Sequence, residues 1–345
     1  MRSVFFPRLV NGPFGDPALH VRLAYRGEAL LFDCGDLHAL APGELLKTRL
    51  LFLSHAHIDH LVGFDLLLRT FLARDLTLLM YGPAGLAQQI AARLQGYTWN
   101  LVDGYPFVLT VREWLPEGIR EVSFPARQAF RPLSERMLTC HNQILHETPW
   151  YRVRAARLAH GDIVSLAFSL EEPLHVAIHK DALERHNYRP GHWLSRFKDL
   201  VMRAASLDTP VTAALSDGSM RSVPLGELLD TIASTERGMK VVYVTDCSPV
   251  FGNFRRILDL SQNAHLLTIE AMFAHRDLER ARQRNHLTAW QAGRLARLAR
   301  VARLQVFHHS PRYQGRPDDL GREARAAFAG ENAPPCARNN GVLLC

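Results

Sequence analysis

No run of about 18 apolar residues occurs in the chain, so no segment of it reads as a membrane-spanning helix. The opening, Met1-Arg2-Ser3-Val4-Phe5-Phe6-Pro7-Arg8, brings in Pro7 and Arg8 too early for the apolar stretch of a signal peptide. A soluble, cytoplasmic, non-exported protein that needs no membrane is therefore expected. Cysteine is scarce: the five, Cys34, Cys140, Cys247, Cys336 and Cys345, are odd in number and form no CxxC pair. That excludes a disulfide framework and a cysteine zinc site, and it fits a reducing compartment. Internal repeats, low-complexity tracts and an acidic excess are also missing. Lys and Arg number 41 against 34 Asp and Glu, a formal charge of +7 with pI near 9.4. Such a charge favours anionic partners such as nucleic acid, and it describes a plain soluble basic protein equally well.

The sequence does have ample core material, with 47% hydrophobic and 22% charged residues over 345 positions, enough for one large domain or two ordinary ones. The segments 30–35 and 49–54 are short apolar runs that end in small or polar groups, as strands buried on both faces do. Residues 61–72 then suit a helix, and 76–81 before Gly82-Pro83 suit a strand closed by a turn. Segments 107–111, 121–124 and 164–170 alternate as half-exposed strands. From about 171 to 237 the pattern weakens into short pieces broken by Arg189-Pro190-Gly191 and Asp217-Gly218, which reads as an insertion. Two more apolar strands, 240–246 and 266–270, end in carboxylates. After them Leu295, Leu298, Ala299 and Ala302 mark a helical face.

Seventeen histidines are scattered along the chain, so an isolated one carries little weight. His55-Ala-His57-Ile-Asp59-His60 differs, because three imidazoles and a carboxylate directly follow a buried strand. Neutral imidazole and carboxylate are ordinary ligands for zinc, manganese or iron. A loop at a strand end can aim alternate side chains at two points, His55 and His57 at one and Asp59 and His60 at the other.

HAHIDH after LLFLS resembles the HxHxDH signature of the metallo-β-lactamase superfamily. The chain is similar, over nearly its whole length, to the ribonuclease Z family of tRNA 3′-processing endonucleases. The resemblance is carried in order by LLFDCGD (30–36), LFLSHAHIDHLVGFD, YGPAGL (81–86), LAHGDIVSLAFSL (158–170), VVYVTD (241–246), IEAMF (269–273), NHLTAWQAG (285–293) and FHHSPRY (307–313). It implies an α/β (α+β) fold, a four-layer αββα sandwich in one domain with an arm inserted at about 171–237. It further implies two Zn²⁺ per chain, with Mn²⁺ or Fe²⁺ as substitutes: His55, His57 and His160 on one, Asp59, His60 and His308 on the other, and Asp246 bridging both. His309 competes with His308, and the family's HFSxRY pattern puts the ligand first. Asp33 is either a group that orients a ligand or a structural strand end. Asp59, Glu270 and His286 are the implied catalytic residues, Glu270 orienting an imidazole that protonates the leaving ribose oxygen while a metal-bound hydroxide attacks phosphorus.

Several segments depart from the family. FFPRLVNGPFGDP lacks the FLGTG turn, VTDC replaces SGDT, and HLT replaces HST. The arm carries RPGHWLSRFK (189–198) where the family has a GP-rich motif that grips the tRNA elbow, and residues 130–153 match nothing in it. Arg189, Arg196, Lys198 and Arg203 on the arm, and Arg312, are candidate phosphate contacts, with Trp193 and Phe197 packing the arm; a plain solvated insertion is the other reading. The expected partner is RNA, precursor tRNA in particular, and the expected assembly a homodimer. Two rivals stay open: a hydrolase of the same fold acting on a small phosphodiester or ester, and an RNA-binding protein without catalysis.

Overall fold

The computed structural model describes residues 4–24 and 26–331, so Cys336 and Cys345 lie outside the described residues. Eight strands form one sheet in simple chain order: Phe5–Leu9, Leu19–Leu23, Ala29–Phe32, Thr48–Phe52, Thr77–Pro83, Val108–Leu115, Gly118–Pro125 and Ser134–Leu138. Its four central strands are parallel. A second sheet of six strands runs Leu304–Phe307, Leu266–Glu270, Lys240–Val244, Ile163–Glu171, Arg152–His160 and Ile144–Glu147. The segment 130–153 supplies an edge strand to each sheet.

Alternation along each strand decides the layering. In Ala29–Phe32 and Thr48–Phe52, Leu31 and Leu51 join a core with Phe64, Leu67 and Phe71 of the helix Phe64–Phe71 and with Ile90 and Leu94 of the helix Leu86–Gln95. Their neighbours Phe32 and Phe52 point to the other face and meet Phe168 of the second sheet, with ring centroids 5.7 and 5.6 Å away. Tyr243 and Phe307 extend this aromatic layer. Burial of each such ring contributes on the order of 2 to 3 kcal/mol, and each ring pair about 1 kcal/mol more. On the outer face of the second sheet, Val242, Val244, Leu267 and Ile269 pack with Ile257, Leu295, Ala296 and Ala324 from the helices Phe251–Ser261, Ala289–Leu298 and Asp319–Ala329. The result is helices, sheet, sheet, helices, as the αββα expectation has it.

Three local details differ from the sequence reading, the first being that residues 165–170 of the strand Ile163–Glu171 are buried on both faces and not half-exposed. Asp59 and His60 sit in a one-turn helix, Ile58–Leu61, instead of a loop. The helix Ala289–Leu298 stops before the full predicted face is used, leaving Leu298 45% exposed. Arg300 takes φ +54° there, and Val301 N–H donates back to Ala296 O, a left-handed helix end that the apolar spacing of 295–302 does not reveal.

Residues 146–153 and 170–239 form a second compact unit, so the unit extends beyond the 171–237 stretch. It has two strand pairs, Leu174–Ile178 with Ala233–Arg237 and Pro210–Ala214 with Met220–Pro224. Trp193 and Phe197 of the helix Trp193–Met202 are buried with Val176, Tyr188, Val211 and Leu228, and Trp193 Nε1 donates to Arg189 O at 2.8 Å. No helix among the described residues is long and apolar enough to cross a membrane.

Candidate metal centre

The strands of the two sheets end together. Phe32 pairs with Phe52, Val244 with Ile269, and Glu270 with Phe307. Groups just past these ends are therefore brought to one place, the usual address for a site in a parallel sheet. Asp33 follows the first run, Ser54 and His55 the second, Asp246 the third and His308 the fourth, while Glu270 and His160 are themselves the last residues of their strands.

Three groups of side chains offer ligand atoms within 4.8 Å of one another: His55, His57, His160 and Asp246; Asp59, His60 and His308; and Asp246, His286 and His308. Asp246 faces both ways. Its Oδ2 lies 3.8 Å from His55 Nε2 and 3.7 Å from His160 Nε2, while its Oδ1 lies 3.5 Å from His60 Nε2 and 2.8 Å from His308 Nδ1. His60 Nε2 and His308 Nδ1 are buried without a hydrogen-bond partner, the latter close to Asp246 Oδ1 but at an angle that makes no bond. Buried imidazole nitrogens that converge on one carboxylate without making a hydrogen bond are costly unless a cation fills the space between them. The donor set thus fits divalent metal.

Hydrogen bonds behind these rings fix which nitrogen faces inward. His160 Nδ1 donates to Asn285 O at 3.0 Å and His60 Nδ1 to Asp33 Oδ2 at 2.9 Å, leaving both Nε2 atoms toward Asp246. Asp33 is fully buried, with φ +55°, and also accepts from Ser54 N at 2.7 Å, Ser54 Oγ at 2.9 Å and Tyr243 OH at 2.9 Å. Four donors converge on one carboxylate, which an amide with a single acceptor oxygen cannot serve. Asp33→Asn is therefore expected to weaken divalent-metal binding at the His60 cluster about 10- to 100-fold, read by competition with a chelator. Unchanged metal affinity would show that Asp33 only closes the strand end.

Three residues in this support were not singled out from the sequence: Ser248, Asn253 and Asn285. Asn253 accepts from Ala159 N at 2.9 Å and donates to Ala159 O and Ser248 O, both at 2.8 Å, tying the end of the His160 strand to the Asp246 loop. Ser248 Oγ donates to Asn285 Oδ1 at 3.0 Å and accepts from Gly161 N at 3.0 Å. The one local signal was Asn285 before His286, since asparagine tolerates its φ of +61°.

His308 and His309 are told apart by their partners. His309 is buried, donates from Nδ1 to Ala271 O at 2.9 Å and stands edge-on to Phe14, so it props the loop that replaces the glycine turn. Burial pushes it down to about 4, which keeps it neutral. His308 lies in two of the three clusters. Burial would lower it, but the Asp246 carboxylate outweighs this and lifts it to about 10. For Asp246, burial would raise the carboxyl, but His308 and His60 hold it well below the usual range. His55 is pushed down to about 2 by burial and by the neighbouring imidazoles.

Glu270 is fully buried and divided between two donors: Oε1 accepts from Cys247 N at 2.8 Å and Oε2 from His286 Nδ1 at 3.0 Å. The backbone amide of VTDC thus orients the carboxylate. His286 follows Asn285 in a short linker between two helices and is partly open to solvent, with Nδ1 4.0 Å from Asp246 Oδ2. Burial would lower its pKa, yet Glu270 raises it above the ordinary imidazole value. Among the other expected residues, Arg312 is exposed with NH1 3.8 Å from Asp277, Arg189 and Arg196 are exposed on the second compact unit, and Lys198 is half-buried there.

A sandwich that gathers such groups at its strand ends has the metallo-β-lactamase fold, and this chain is a metal-dependent hydrolase. Two solved structures share the fold. The metallo-β-lactamase fold protein YhfI from Bacillus subtilis aligns at a TM-score of 0.53 and 18% identity, over 94% of this chain and 92% of that one. Human tRNase Z, short form, aligns at 0.52 and 22% identity, over 90% and 93%. No family model matches the chain. Ribonuclease Z from Deinococcus radiodurans is 31% identical over 303 residues, 87% of each chain, and that from Trichodesmium erythraeum 30% identical over 327 residues, 90% of this chain and 85% of its own. The chain belongs to the ribonuclease Z family, and its activity is that of an endoribonuclease.

Proposed function

We propose that the chain removes the 3′ trailer of precursor tRNA, with His55, His57 and His160 on one zinc ion, Asp59, His60 and His308 on a second, and Asp246 between them. Two such ions would supply a nucleophile from water near neutral pH and positive charge for the phosphoryl oxygens. The protein's own part is proton handling at the leaving oxygen. Glu270 accepts from His286 Nδ1 and favours the protonated ring, so His286 presents an Nε2 proton to the departing 3′ oxygen, whose alkoxide leaves poorly without one. His57, which is exposed, and Asp59, 37% exposed at its side chain, are the proposed ligands most open to solvent.

The Glu270–His286 pair beside Asp246 carries this reading, because a hydrolase of activated small esters has little use for a second acid. Arg189, Arg196, Lys198 and Arg312 are proposed phosphate contacts, and a homodimer the working assembly. The test is cleavage of precursor tRNA with defined trailers by the metal-loaded protein. The expected products are one tRNA with a 3′-hydroxyl and one 5′-phosphorylated trailer. Turnover of small phosphodiesters alone, with precursor tRNA left intact, would establish the small-substrate rival instead.

A further inference from the structure

Large apolar side chains are left exposed close to the polar centre. Phe251 is 66% exposed, and Val250, Ile163 and Val164 are exposed with it. Each follows His160 or Asp246 by no more than five residues. One exposed apolar residue needs no explanation, but a group of them beside a set of buried polar groups marks a surface that meets something.

The chain path and the hydrogen bonds put Phe251 at this end of the fold. The helix Phe251–Ser261 joins the parallel strands Lys240–Val244 and Leu266–Glu270. Such a crossover helix runs back against its strands, so its first turn lies at their carboxyl ends, where the metal clusters are. Asn253, in that turn, grips Ala159 beside His160. Ser248 Oγ accepts from Gly161 N, in the turn that precedes Ile163 and Val164, and donates to Asn285 Oδ1, next to His286. The helix start that carries Phe251 is thereby tied both to the His160 strand end and to the linker that holds His286.

An exposed ring on a helix start offers a flat apolar face, and a nucleobase of any sequence can stack on it. Arg255, one turn further along, and Arg256 are exposed on the same helix. An RNA strand brings the opposite charge to this patch, whereas a second copy docked through the same surface brings arginine against arginine. With His286 as the acid, the departing 3′ oxygen belongs to the nucleotide upstream of the cut, which is therefore the one drawn toward the His286 linker.

We propose that Phe251, with Val250, Ile163 and Val164 at the same rim, is a stacking platform for the base of the nucleotide upstream of the cut, the last one kept in the finished tRNA. The inference rests on the trailer-removal reading and on the role of His286 within it.

The test compares two precursor tRNAs, one unmodified and one abasic at that nucleotide, cleaved by the metal-loaded full-length protein. The wild type is expected to cleave the unmodified RNA with kcat/KM about 10-fold higher, the order of magnitude of one base stacked on an aromatic ring. Phe251→Ala should lose about this factor on the unmodified RNA, mainly through a higher KM, and lose nothing further on the abasic one, since stacking holds ground state and transition state alike. Phe251→Trp should restore the contrast. Metal content and circular dichroism control for folding. Equal losses on the two RNAs, or no loss on either, overturn this proposal and leave trailer removal standing, while a wild type that leaves both RNAs intact overturns the two together. Phe251→Ala that turns a dimer into a monomer and shows no dependence on the base assigns the patch to a second copy and also overturns the proposal.

Discussion

Asp246→Ala is expected to lose both ions and RNA cleavage together, with metal content falling from two per chain toward none and activity by a factor of at least about 10⁴. Removing one of the seven proposed ligands would ordinarily weaken one ion. Asp246 differs because its two oxygens face different clusters, Oδ2 toward His55 and His160 and Oδ1 toward His60 and His308. Two unit charges 4 Å apart repel by about 4 kcal/mol at an effective dielectric constant of 20, so two divalent ions at that distance repel by about 16 kcal/mol. In the proposed site the buried carboxylate would offset this from between them. Asp246→Asn keeps the shape and removes the charge, and it should behave nearly as badly. Elemental analysis of the folded variants, with circular dichroism as the control, reads the result. Retention of both ions with loss of activity would show that Asp246 acts on substrate and is not the bridge.

How much of this was legible in the sequence depended on distance along the chain. His55 to His60 stood out because a buried strand and its candidate ligands are adjacent, so local pattern and candidate site coincide. Asp33, Asp246 and Glu270 were visible as carboxylates that end apolar runs, but only the pairing of Phe32 with Phe52 and of Val244 with Ile269 shows that those ends are level. The clamp of Asn253 on Ala159 joins residues 94 apart, and nothing in either segment announces it. Likewise, the choice between His308 and His309 needed partners: Ala271 O engages one ring, and the other faces Asp246. The Leu298 face failed for a related reason, since a left-handed arginine ended the helix where the apolar spacing continued. Local periodicity shows what an element buries, while its termination depends on neighbours such as Asn263, whose N–H takes Ala299 O.

His286→Ala is expected to retain both ions and to lose cleavage in proportion to how basic the leaving oxygen is. The proposed acid lies at the margin of the proposed ligand set. Its Nδ1 is engaged by Glu270 at 3.0 Å and stands 4.0 Å from Asp246, so the other nitrogen remains to face substrate. A ribose 3′ alkoxide is strongly basic and gains the full benefit of an acid, typically about 10² to 10⁴-fold. A nitrophenolate departs without one. The variant should therefore lose about 10² to 10⁴-fold on precursor tRNA and much less on a bis-nitrophenyl phosphodiester that the wild type hydrolyses. Glu270→Ala should follow the same pattern more mildly, because Glu270 acts through His286 and Cys247 N–H has no part in the chemistry. The contrast between substrates is the informative quantity, since a merely structural role would lower both rates alike. Equal losses on the two substrates would remove His286 as the acid. With it would go the feature that favours an RNA phosphodiester over a small activated one.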